Sequence, residues 1–349
     1  MIAFCGNQEK PYWQAKRQHA VSPALFLGAH NPSPQQLRTH RQETSSIHNP
    51  RKKAFPMGRF DILRRIEAMD PVRDHQAIYH LTTGYEFSWD TTRALEVALY
   101  RTYCVPTISG LLARTGNFLR APQKRYDDTA IIVAEISEHG YESGRGLEAL
   151  KRMNRIHGHF NIGNDDYLYV LSTFIYEPIR WMRRFGWRAM SRTEELASFY
   201  FWREVGKRMG IKEIPETFEA FEQFSRQYEQ KHFRFAETNR KIGEATRDLF
   251  AAWFPRFAKP LVHRGVYAML DDAMLEAFGF PKPAPLMRRI AVFSLWLRGR
   301  IVRYLLPARK KPLFFHHRRN RTYPQRYTLQ ELGPDNLEQF RKKDAESVG

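Results

Sequence analysis

Two histidines, His157 and His159, lie in the run RMNRIHGHF just after Arg152 and Arg155. A neutral imidazole can ligate a metal or move a proton near physiological pH. Cations placed so close to it are costly to bury unless an anion offsets them. A haem propionate, a phosphate or an ordinary glutamate would each serve. Two residues on a helix rotate by roughly 200°, so both rings cannot face one ion. Upstream, Arg125 and Thr129 are four apart and share one helix face, with Asp128 beside them. Two further pairs have ligand spacing, Glu135 with His139 and Glu229 with His232. A four-helix di-iron site wants two Glu-x-x-His motifs plus two more carboxylates, and the chain contains one such motif. Helix-surface pairing explains both without metal.

Other chemistries find no footing. There is no G-x-S-x-G nucleophile elbow, and GYESGRG at 140–146 has the wrong spacing for a phosphate-binding loop. Two cysteines, Cys5 and Cys104, make neither a disulfide framework nor a thiolate metal site, so a reducing, intracellular compartment is the default. The net charge of +19 would suit nucleic acid or an anionic membrane. Its excess gathers at the ends, with eight Lys and Arg against two acids over 1–57 and ten against five over 308–349. No zinc finger, RNP signature or helix-turn-helix accompanies the charge, and no nucleic-acid partner is expected.

The elements that must position these residues are helical. Over 349 residues, 42% of them hydrophobic, there is material for one large core. Residues 1–56 are polar and Pro-containing, and read as a disordered or processed basic leader. From Phe60 onward apolar residues recur at three-to-four spacing with almost no alternation, so the class is all-α, a single large multi-helix domain over 57–285. Helices are expected over 93–103, 108–115, 125–138, 147–159, 166–185, 192–209, 218–236, 242–254 and 264–278. Ser191 with Glu194 forms a capping box, Gly210 ends that helix, and Pro215 begins the next. On that next helix Phe218, Phe221, Phe224 and Tyr228 form a core stripe.

Residues 286–306 read as a basic amphipathic helix. Ile290, Phe293, Leu297, Ile301 and Leu305 share a stripe flanked by Arg288, Arg289, Arg298, Arg300 and Arg303. The stripe suits either packing on the domain or the plane of a membrane interface. An irregular basic tail follows over 307–349. No run of about 20 uninterrupted apolar residues marks a spanning helix, and no signal-peptide core opens the chain.

The order of GNFLRAP, R-x-x-x-T at Arg125 and Thr129, RMNRIHGHF some thirty residues on, and NDDYLYVLSTFIYEPIRW resembles one family. It is the haem oxygenase family that joins the latex-clearing rubber oxygenases to the fungal oxygenase of mycophenolic acid biosynthesis. The resemblance runs from about residue 111 to 280. It implies a globin-like helical core and a haem b cofactor, with His157 as the iron ligand and His159 as the rival position. It further implies Arg125 and Arg155 at the propionates and Thr129 at the oxygen-binding face. The expected activity is that of an oxygenase using O2 on a lipophilic, isoprenoid-like substrate. At Asp128 the rubber oxygenases carry a lysine, so a distal amine ligand is not implied here. Phe174, Tyr176 and Trp181 are candidate pocket residues, and Asp128 or Glu135 a candidate base. The competing readings are a non-haem iron oxygenase and a non-enzymatic, membrane-peripheral helical scaffold.

Overall fold

A computed structural model of the protein describes residues 58–334. The expected leader over 1–56, with Cys5, and the last part of the tail lie outside the described residues. Among them there is no strand, and fourteen α-helices follow in order: α1 Asp61–Glu67, α2 His75–Leu81, α3 Ser88–Thr102, α4 Pro106–Thr115, α5 Asn117–Arg120, α6 Pro122–His139 and α7 Gly144–His157. After these come α8 Asn164–Phe185, α9 Arg192–Arg208, α10 Phe218–His232, α11 Glu237–Ala252, α12 Lys259–Met269, α13 Asp272–Phe278 and α14 Pro285–Tyr304. The all-α class is as the periodicity required.

Local chemistry sets the boundaries. Helix α6 begins with Pro122 in its first turn, where a missing N–H costs nothing, and stops at Gly140, whose φ of 76° suits glycine. Both halves of the Ser191–Glu194 capping box are formed at the start of α9. Thr217, not Pro215, caps α10 by accepting from the Ala220 N–H at 3.2 Å. The single helix expected over 264–278 is two. Leu270 turns extended and Asp271 starts a new helix by accepting from the Met274 N–H at 2.9 Å, a local bond that competes with helix continuation.

Helix α8 runs through the centre. Its Leu168, Leu171, Phe174, Ile175 and Ile179 meet Phe199, Trp202 and Val205 of α9 and Ile131, Ile132 and Ile136 of α6 in one buried cluster. Burying side chains of this size contributes roughly 1.5–3 kcal/mol each. The α10 stripe joins the same core through Phe218 and Phe221, while Tyr228 packs on Tyr169. Glu229, the carboxylate of the only Glu-x-x-His motif, takes a two-pronged bond from Arg101 at 2.6 and 2.7 Å, and His232 stacks on Tyr228. That pair therefore has a structural explanation in place of a di-iron one.

Two features bear on function. After α2 the chain makes a π-helical turn at Thr82–Glu86. There the Gly84 carbonyl accepts from the Leu313 N–H at 2.9 Å, and a Cβ on Gly84 would lie 2.8 Å from the Phe314 ring. The tail is irregular apart from short 3-10 turns such as Phe315–His317, yet it is packed rather than loose, with Phe314, Leu329 and Leu332 buried. In α14, Gly299 is the buried residue, pressed to the Phe185 and Gly186 carbonyls. All five residues of the expected apolar stripe face outward, from Ile301 at 38% exposure to Leu305 at 75%. Packing on the domain uses Val292, Leu295 and Val302 instead.

Candidate active site

Helices α3 and α6 enclose two neighbouring cavities that share Glu96, Leu99, Tyr126 and Thr129. The larger, about 600 Å³ with its mouth, is walled by Leu95, Ala130, Val133, Ala134 and Phe174 and closed by Leu313, Phe314 and Phe315 of the tail. The smaller, about 340 Å³, reaches Arg125, Tyr103, Phe118 and Phe250. Concave sites with mostly apolar walls and a few polar groups are where small molecules and cofactors bind.

Arg125 and Thr129 stand one turn apart on α6, as their spacing demanded. The guanidinium donates to the Thr129 hydroxyl, and Thr129 Oγ1 also donates to the Arg125 carbonyl at 3.0 Å. His157 is the last residue of α7. Its ring packs edge-on against Tyr167 at 5.8 Å, and its Nδ1 is buried without a hydrogen-bond partner among the described residues. Burial first, then the nearby charge of Arg125, lowers its pKa to about 4, so the ring is neutral at physiological pH. His157 lines neither cavity itself; Arg125 is the residue that reaches both the imidazole's surroundings and the smaller cavity. His159 lies beyond the helix end, its Nδ1 at 2.6 Å from the Arg155 carbonyl. Of the two rings, His157 alone offers a buried, uncommitted nitrogen.

Three expectations are corrected. Arg155 is exposed and, like His157, lines neither cavity; it points about 200° round α7 from His157, away from the buried imidazole. Asp128 faces the tail, not the cavities. Its carboxylate takes the Tyr323 hydroxyl at 2.6 Å, the Gly333 N–H at 3.0 Å and Lys124 Nζ at 3.0 Å, which makes it an anchor. Glu135 is likewise occupied on one oxygen by Arg145 at 2.6 Å and by Tyr327. Of the three aromatic guesses, Phe174 lines the larger cavity, whereas Tyr176 donates to the Phe218 carbonyl and Trp181 to Asp90 as packing residues.

The residue missed by sequence reasoning is Glu96. It lines both cavities, accepts from the Tyr126 hydroxyl and pairs with Arg93. Burial pushes its carboxyl above the ordinary range despite the opposing charge of Arg93. Its only sequence signal is the i,i+3 spacing from Arg93, a pattern that surface helices show everywhere. Buried Thr91 Oγ1 in the same wall has no partner among the described residues.

Comparison with known proteins places the chain. Residues 93–303 match the family described as ER-bound oxygenase mpaB/B'/Rubber oxygenase, catalytic domain. The ER-bound oxygenase mpaB' of Penicillium brevicompactum is 30% identical over 269 residues, which are 71% of this chain and 63% of that protein. The ER-bound oxygenase mpaB of Penicillium roqueforti (strain FM164) is 29% identical over 231 residues, 60% of this chain and 78% of that one. The chain thus spans somewhat under two thirds of the length of the first of these relatives. A solved structure of latex clearing protein LCP in the closed state superposes with a TM-score of 0.52 at 14% identity, over 80% of this chain and 77% of that one, which is a likeness of fold. With more than half of its length inside that match, the chain belongs to the mpaB/B' and rubber oxygenase family.

Proposed function

We propose that the protein is a haem b-dependent oxygenase that uses O2 to cleave or oxygenate a lipophilic, isoprenoid-like substrate, with His157 as the iron ligand. The observation that carries this reading is the His157 ring: buried at Nδ1, without a hydrogen-bond partner among the described residues, and neutral. A ligand imidazole must be deprotonated and must have a free nitrogen, and this ring meets both conditions. Arg125 brings a cation to the same place, suited to a carboxylate of the macrocycle. Bound there, haem would supply an iron for the activation of O2.

The chain's own residues do the rest. Leu95, Leu99, Val133 and Phe174 exclude water and hold an apolar chain. Thr129, its hydroxyl held by Arg125, lines both cavities. Glu96, its carboxyl raised by burial, can hold or take up a proton at the cavity wall, with Tyr126 fixing its position. This replaces Asp128 and Glu135 as the candidate acid or base.

We further propose that α14 lies in a membrane interface, with Leu286, Ile290, Phe293 and Trp296 turned outward and arginines beside them. No helix among the described residues is long and apolar enough to cross a membrane. A lipophilic substrate would then be drawn from the bilayer.

The absorption spectrum of the purified chain, before and after dithionite and carbon monoxide, tests the central proposal. A Soret band that shifts with carbon monoxide and is lost in His157→Ala is the expected result. A colourless protein after expression with ample haem precursor would overturn it.

A further inference from the structure

Helix α6 carries Glu135, Glu138 and His139 in its last turns, and the 3-10 turn Phe315–His317 brings His316 and His317 against them. The ligand-capable atoms of Glu135, His139 and His316 all lie within 4.8 Å of one another, and so do those of Glu138, His316 and His317. His139 Nε2 is 3.4 Å from Glu135 Oε2 and 3.9 Å from Glu138 Oε2, and His316 Nε2 is 2.7 Å from Glu138 Oε2.

These groups crowd together and satisfy one another only in part. Glu135 Oε2 and His316 Nδ1 are buried and make no hydrogen bond among the described residues, whereas Glu138 Oε2 is met by the Nε2 atoms of His316 and His317 at 2.7 and 2.8 Å. Glu135 is fully buried, and its other oxygen is held by Arg145 and Tyr327, so Oε2 is aimed into the cluster by its neighbours. A buried polar atom left without a hydrogen bond is rare in a folded protein, and two such atoms in one cluster call for a common partner. His317 plays a different part. The Phe314 N–H approaches its Nδ1 at 3.4 Å, which leaves Nε2 to carry the proton towards Glu138, 2.8 Å away. It orients a carboxylate as outer-layer residues do around metal ligands.

We propose that Glu135, His139 and His316 form a binding site for a divalent first-row transition-metal ion, with Glu138 as a further oxygen donor, and that the ion staples the tail to α6. Two imidazoles with one carboxylate are a donor set for zinc, iron or manganese. The His139 side chain, 38% exposed, gives the ion a way in. The site is separate from His157 and does not depend on the oxygenase reading. Its consequence is mechanical: Leu313, Phe314 and Phe315, which close the larger cavity, adjoin His316 in the chain, so the ion holds that wall in place.

Equilibrium dialysis of the full chain against zinc, counted by elemental mass spectrometry, tests the site. One zinc per chain is expected. His316→Gln and Glu135→Gln should each weaken zinc binding at least about 100-fold, while His263→Gln, remote in the sequence and paired with Asp248, leaves it unchanged. Because Glu135→Gln disturbs a buried residue, hydrogen exchange of the unmodified chain supplies a second readout. Amides of residues 313–317 should slow on adding zinc and recover with EDTA. Absent zinc, zinc indifferent to both substitutions, or exchange at 313–317 unmoved by zinc would each overturn the proposal.

Discussion

Tyr323 donates its hydroxyl proton to Asp128 Oδ1 across 2.6 Å, joining the tail to the middle of α6 over 195 positions of sequence. A carboxylate so placed is spent on architecture. Its second oxygen is shared by Lys124 and the Gly333 N–H.

Asp128→Asn should therefore cost stability and spare chemistry. Hydrogen bonds to charged groups are worth about 1.5–3 kcal/mol, and a domain of this size loses roughly 2–4 °C of melting temperature per kcal/mol. Calorimetry alongside turnover checks this; a large fall in kcat at an unchanged melting temperature would restore Asp128 to the reaction.

The histidine gives a pH dependence whose sign is fixed. In the folded chain His157 has a pKa of about 4 against an ordinary 6.5, so between those values the unfolded state binds a proton that the folded state refuses. In the metal-free chain, stability falls as pH drops from about 6.5 to about 4, by at most about 3 kcal/mol and by less because the ring is partly exposed. Denaturant melts across that window should show the slope in the unmodified chain and a shallower one in His157→Phe.

Glu96 is expected to matter in turnover. Removing a positioned acid or base slows a reaction about 10²–10⁴-fold. Glu96→Gln should lower kcat on that scale with little change in KM and with the absorption spectrum intact. An unchanged kcat removes Glu96 from the chemistry.

Helix α14 separates two kinds of substitution. Phe293→Asp with Trp296→Asp should abolish co-flotation with anionic vesicles without lowering the melting temperature, since both side chains face outward. Arg298→Ala should do the reverse. Its guanidinium lies 2.7 Å from buried Asp90, and stripping a buried carboxylate of its partner costs about 3–5 kcal/mol.

Much of this was legible in the chain because it is local. The 3.6-residue rhythm gave the class, the Ser191–Glu194 box gave a helix start, and the four-residue step from Arg125 to Thr129 gave a shared face. What sequence hid is long-range. Nothing near Asp128 announces Tyr323, and nothing near Glu96 announces that its face of α3 meets Tyr126 across a cavity. Arg155 misled because nearness to His157 in sequence is not nearness in space. The break at Asp271 was missed because one side-chain bond to a backbone N–H outweighed an unbroken apolar rhythm.

The pocket wall at Leu313, Phe314 and Phe315 rests on Gly84, more than two hundred residues earlier. A nascent chain emerging from the ribosome can assemble its helical body first, but the chamber stays open until these late residues arrive. A bulky side chain introduced at residue 84 would leave a folded protein unable to shut its own door.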